Sequence, residues 1–156
     1  MEVDLELIID RLTEFFRDNF NTEITAINTA KNDTLLTAID PLAFILGDME
    51  NTNKNFKQFI LIQPTGVTAT FAGSAVAQEF RIEILMFMMD NYEIKQSWRK
   101  IYRYQKAMLR TAQLAWLKLR LTSQPDIIAL DPISYQENQK SVPMKIFGLE
   151  LTFTIS

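Results

Sequence analysis

Four carboxylates recur at every fourth residue near the N-terminus: Glu6, Asp10, Glu14 and Asp18. On a helix that spacing stacks neighbouring carboxylates on one face. A pair such as Glu6 and Asp10 would there suit Mg²⁺ coordination or proton transfer, although the same spacing is also the ordinary form of a solvated helix face. The rest of the sequence favours the solvated face. The 156 residues contain no histidine and no cysteine. The usual general base near neutral pH, the commonest metal ligand and all thiolate and disulfide chemistry are therefore missing. The segment TGVTATFAGSA holds two of the four glycines, but it lacks the lysine and the spacing of a phosphate-binding loop and reads as a hairpin connection. No zinc pattern and no nucleophile elbow is present. The expectation is a protein without a catalytic site, metal or cofactor.

A second charged stripe has the opposite sign. Arg99, Arg103, Lys106 and Arg110 form a helical stripe, and together with Lys100 they are interleaved with Trp98, Tyr102 and Tyr104. Cations and aromatics in that mixture compose a nucleic-acid surface, where phosphates meet the cations and bases stack on the rings. They also compose a partner for the acidic stripe of Glu6, Asp10, Glu14 and Asp18, within one subunit or between subunits. The net charge is −3 and the isoelectric point about 5.0, which suits a general DNA binder poorly and favours the ion-pairing reading. Residues 1–50 hold eleven of the nineteen acidic side chains and three basic ones, whereas 97–121 hold seven basic residues and no acid. The two regions carry opposite fields.

The elements that position these stripes follow from periodicity. Leu5, Ile8, Ile9, Leu12, Phe15 and Phe16 repeat at spacings of three and four, predicting a helix over about 3–20. The Asn- and Thr-rich stretch of about 21–55 reads as an irregular arm with short elements only, one of them ended at Pro41. Then come a loop at NTNKN, a strand FKQFILIQP ended by Pro64, and a long connection leading into the strand EFRIEILMFMMD. After the turn NYEIKQ a helix begins, with Ser97 as its N-cap and Ile101, Tyr104, Met108, Ala112, Ala115 and Leu119 as its apolar stripe. DIIALDPISYQ and MKIFGLELTFTIS supply the last two strands. The predicted fold is a single α+β domain over 1–156: a four-stranded, mainly antiparallel sheet with two helices packed on one face and an irregular arm. The acidic N-terminus lacks the basic start of a signal peptide, and no apolar run reaches the roughly 18–20 residues of a membrane helix. A soluble, cytoplasmic product is expected.

The strand EFRIEILMFMMD poses the sharpest question. Its even positions, Phe80, Ile82, Ile84, Met86 and Met88, are all apolar, as packing against the helices requires. Arg81 and Glu83 on the odd face suit water, but Leu85, Phe87 and Met89 do not. Either the arm covers these three or another subunit does. An apolar patch rimmed by Arg81 and Glu83 has the usual form of a protein contact, so all five residues are candidates for a subunit interface.

The order of elements, with ITAINTAKNDTLLTAID, FKQFILIQPTG, FAGSAVAQEFRIEILMFMMD and SWRKIYRYQKAML, resembles the tail-terminator and tail-completion proteins of tailed bacteriophages over about Leu5 to Ile155. That resemblance implies a homo-oligomer, typically a hexameric ring. The ring would cap the tail tube protein after elongation and present a docking surface to the head connector or neck protein, with DNA passing through its lumen without sequence-specific binding. It also implies a virion protein, made in the host bacterial cytoplasm and needing no membrane. Two other functions fit the same features: a head-closure or neck ring at the same joint, and a nucleic-acid-binding accessory protein using the basic helix.

Overall fold

The computed structural model describes residues 5–46, 58–72, 75–89, 94–120, 124–135 and 144–155. The expected loop at 51–55 and the first half of the expected turn, 91–93, lie outside them. Helix α1 spans Leu5–Lys31, strand β1 Phe44–Leu46, β2 Gln58–Ala72, β3 Ala75–Met89, helix α2 Ile94–Leu119, β4 Asp126–Tyr135 and β5 Met144–Ile155. The sheet runs β1-β2-β3-β5-β4, antiparallel at every junction except β1 with β2, which is parallel. The fold is α+β, as expected, with the short β1 added at the edge of the four antiparallel strands.

One face of the sheet carries the core. Antiparallel partners share a face, so Phe80, Ile82, Ile84 and Met86 of β3 align with Phe153, Leu151, Leu149 and Phe147 of β5 and all are buried. The helices close over this layer. Phe16 and Phe20 of α1 stack on each other, and Phe20 meets Phe44 of β1 edge-on. From α2, Tyr104 lies against Phe147 and Trp116 against Phe153. Gln105 of α2 donates its amide to two backbone carbonyls, Leu130 at 2.9 Å and Gly148 at 3.2 Å, where the β4–β5 register slips.

Helix α1 runs eleven residues past its expected end, and the reason is visible in its side chains. The apolar stripe continues through Phe20 and Ile24, both buried, and Ile27, packed on the core. The asparagines that suggested an irregular arm instead face the chain that follows. Asn21 accepts from the Ile39 N–H and donates to the Ile39 carbonyl, both at 2.8 Å, and Asn28 does the same for Leu36 at 3.2 and 2.9 Å. Spaced seven residues apart on one helical face, the two amides clasp the extended segment 34–39 as a strand would. The helix stops at Asn32, whose φ of 54° is left-handed, a conformation asparagine tolerates.

Prolines and caps differ from expectation in the same way. Pro41 opens a short 3-10 helix, Pro41–Ala43, rather than ending one, and the Asp40 carboxylate accepts from the Leu42 N–H at 2.9 Å. Pro64 does not end its strand. Among the described residues β1 reaches along β2 from Ile60 to Ile62 and no strand lies beside Pro64 on that side, where its missing N–H costs no ladder bond, and the β2–β3 register shifts between Pro64 and Gly66. Ser97 is inside α2, not at its cap, because Ile94, Lys95 and Gln96 carry no breaker and extend the helix upstream.

A single hydroxyl joins three of these pieces. Tyr104 is fully buried, and its OH accepts from the Thr37 N–H at 2.9 Å, donates to the Thr37 carbonyl at 3.0 Å and accepts from Gln58 Nε2 at 3.2 Å. Replacing Tyr104 with Phe keeps the ring and removes all three bonds. Denaturant unfolding should show a loss of about 1–3 kcal/mol, the cost of leaving those partners unpaired; an unchanged midpoint would mean that water replaces the hydroxyl freely.

Candidate assembly surfaces

The outer face of the sheet divides into an apolar end and a polar end. At the apolar end Phe59 pairs with Phe87 across β2 and β3, rings stacked at 4.5 Å and 9° apart, with Ile146 of β5 beside Phe87. Phe87 is only 1% exposed, and Leu61 and Phe59 are buried with it. The chain itself therefore buries Phe87. Leu85 is half-buried and packed on the core, and Met89 is 43% exposed. Of the five residues expected at a subunit contact, Met89 alone is fully on the surface. Residues 33–39 of the arm are not the cover, because they are tied to α1 and to Tyr104 on the helical side.

At the polar end Arg81 and Glu83 are half-buried. Gln63 Nε2 donates to Glu83 Oε2 at 3.3 Å, and the Arg81 guanidinium lies over Gly66, where an added Cβ would fall 2.9 Å from its Nη2. The Arg81 Nε is buried without a hydrogen-bond partner. Glycine at the β2 bulge thus makes room for a cation that the sequence pattern had assigned to water.

The two charged stripes are both on the surface and do not meet within the chain. Glu6, Asp10, Glu14 and Asp18 are all exposed along α1, and Arg99, Lys106 and Arg110 along α2. Although α1 and α2 pack side by side, no ion pair among the described residues joins the stripes. Arg103 is the exception, and its partner is one the sequence reading missed: Asp33, just after α1, at 2.8 Å. The Arg103 N–H bond, then the Leu35 N–H, hold the Asp33 carboxyl below the usual carboxylate range. A helix-ending asparagine followed by aspartate was the available signal. No three carboxylates gather into a metal-holding group among the described residues.

Apolar side chains are exposed elsewhere too, among them Leu7 of α1, Leu42, and those on the hairpin, β4 and α2. The β2–β3 hairpin continues past the last β5 pairing, Gln78 with Ile155, and carries Phe71, 76% exposed. The edge strand β4 pairs only with β5 and exposes Ile128 and Ile133 on the outer face. On α2, Trp98 and Tyr102 are both exposed and stack at 6.1 Å, nearly parallel. An open cleft of about 490 Å³ between the end of α2 and the start of β4 has Arg120 as its one charged lining residue. No helix of the described residues is long and apolar enough to cross a membrane. No family model matches the sequence, and no curated protein matches it.

Burial separates two substitutions on one strand. Phe87→Asp should cost about 3–5 kcal/mol in denaturant unfolding, because it places a carboxylate in a desolvated ring stack, whereas Met89→Asp should fold normally and report any contact at that edge through a change in oligomer mass. Equal stability of the two variants would contradict the burial of Phe87. For Asp33, whose folded pKa is depressed, the contribution to stability is present above its unfolded value of about 3.9 and lost as pH falls through the folded value. Asp33→Ala should therefore lower the melting temperature at neutral pH, measured against wild type, by an amount that shrinks as pH falls through the folded value; a difference independent of pH would assign the effect to something other than the Arg103 pair.

Proposed function

We propose that this protein is a structural subunit of a ring that terminates the tail tube of a tailed bacteriophage and docks the tail to the head connector, a virion protein whose work is done by surfaces rather than by a reaction centre. What supports this reading is the element order. Helix, paired strands, amphipathic helix and a second strand pair follow one another in the order on which the resemblance rests, although the start of the expected arm continues α1 to Lys31. Among the described residues the fold leaves an unpaired β4 edge, an apolar hairpin end at Phe71 and two charged stripes in which only Arg103 has an ion-pair partner. Exposed edges and apolar patches of this sort invite partners. A head-to-tail contact between different faces of one chain closes into a ring when its rotation closes.

A nucleic-acid accessory role draws on one observation: the stacked Trp98 and Tyr102 beside exposed Arg99, Lys106 and Arg110, an aromatic platform flanked by cations. Native mass and negative-stain images of the purified protein, alone and with isolated tail tubes, distinguish the readings. The ring reading expects closed particles of uniform size that cap tube ends. Rings that bind connectors and ignore tubes would move the protein to the neck. A monomer that ignores tubes but binds mixed-sequence DNA with steep salt dependence would replace the ring reading with the accessory one.

A further inference from the structure

We infer that the contact between neighbouring copies is made by the two helices: the acidic row on α1 of one subunit lies against the basic, aromatic-lined row on α2 of the next. The inference rests on the ring reading and names its interface. Helix α2 contains seven cationic residues and no acid over Ile94–Leu119. Of its outward cations, Arg99, Lys106 and Arg110 are exposed and have no ion-pair partner among the described residues, Arg103 being spent on Asp33. On α1 the four carboxylates Glu6, Asp10, Glu14 and Asp18 are exposed too, and none has an ion-pair partner among the described residues. Arg11 and Arg17 lie on the same helix and leave the row net acidic, four charges against two.

The rows match in length and pitch. From Glu6 to Asp18 is twelve residues, about 18 Å of helix, and from Arg99 to Arg110 is eleven, about 16–17 Å. The acids step by four residues, about 6 Å, and the cations that remain once Arg103 is spent, Arg99, Lys106 and Arg110, step by seven and four, about 10 and 6 Å, so their gaps correspond to two acidic steps and one. A second copy of this chain therefore offers α2 a counter-row of its own length, and the packing of α1 beside α2 in one subunit does not use it up.

Apolar anchors sit within the same faces. Trp98, Tyr102 and Leu109, spaced four and seven residues apart, form an exposed strip beside the basic row, and Trp98 is 66% exposed. Leu7, exposed on α1, lies three residues before Asp10 and seven before Glu14. Large aromatics at the centre and charges at the rim are the composition of a protein contact. One helix laid on another buries less than the roughly 1,200–2,000 Å² of a stable interface. A single contact is thus weak, and closure, which holds each subunit on two sides, supplies the persistence.

The contact is heterologous, α1 to α2, and this gives a test that only an intermolecular pairing passes. In one variant Asp10 and Glu14 become Lys; in the other Lys106 and Arg110 become Glu. The first then presents two basic faces and the second two acidic ones. Each alone should keep its circular dichroism and melt normally but elute as monomer, and mixing the two in equal amounts should restore particles of wild-type mass with alternating subunits. Wild-type assembly should also weaken at least tenfold between about 0.05 and 0.5 M salt, as exposed pairs are screened. Variants that assemble as wild type overturn the inference and leave the ring reading standing. Two monomeric variants that do not rescue one another also overturn it, by placing the charges' role within one chain. A wild-type protein that is monomeric at every concentration ends both the ring reading and the inference. Should either reversal unfold the protein, the neutral pairs Asp10→Asn with Glu14→Gln and Lys106→Gln with Arg110→Gln are the substitutes: each should lower assembly about tenfold and flatten its salt dependence, and an unchanged response overturns the contact.

Discussion

The Tyr104 hydroxyl is the constraint to which the helical layer is tied. It sits on the buried face of α2 and bonds both the N–H and the carbonyl of Thr37 as well as the Gln58 amide at the start of β2. A buried phenol without partners would be costly, and a segment of chain crossing a packed surface carries backbone groups that must also be met. Each solves the other's problem. The segment around Thr37 is held from one side by Tyr104 and from the other by Asn21 and Asn28, so its path from α1 to β1 is determined residue by residue. That path in turn brings Phe44 to Phe20 and places β1 alongside β2.

The sheet is apolar on both faces at one end only, and the register explains the pattern. Where β3 carries Leu85 and Phe87 on its outer face, β2 brings Leu61 and Phe59 opposite and β5 brings Gly148 and Ile146. Where β3 carries Arg81 and Glu83, the neighbours are Gly66, Gln63, Thr152 and Glu150. The side-chain period of two keeps each row coherent across three strands. The aromatic stack of Phe59 on Phe87 lies inside the protein, and the polar rows lie toward the hairpin. The change from apolar to polar along one strand thus marks a change in surroundings, not a break in the strand.

Long periodic segments were legible in the sequence and their exceptions were not. The even positions of β3, the stripe of α1 through Phe16 and the stripe of α2 read directly as core because each satisfies one period over many residues. The end of α1 was hidden because Asn and Thr ordinarily compete for local backbone bonds, and only the fold shows Asn21 and Asn28 spending theirs on Ile39 and Leu36. Pro64 was read as a stop because a proline cannot donate to a neighbour, yet whether β2 has a neighbour at that point depends on how far β1 extends. Three-residue β1 itself is too short to show a period. Phe87 was correctly seen to need a cover, but alternation cannot say whether the cover belongs to the same chain.

The charges illustrate what alternation and periodicity do settle. Rows of like charge at helical spacing repel along their own helix by about 0.2–0.5 kcal/mol per pair, a cost that a chain selected only for its own stability would relieve by interspersing signs. α2 does not intersperse: over Ile94–Leu119 it has no acid at all, and the one partner found for its outward face, Asp33, comes from another element. The acids are instead concentrated on α1, which packs beside α2 yet shows its carboxylates to solvent. Within one molecule no ion pair among the described residues joins the two rows, and attraction between exposed charges further apart is screened over a Debye length of about 8 Å. Brought face to face between molecules they would be in contact. The segregation of sign onto two helices is therefore better accounted for by what meets those helices than by what holds them together.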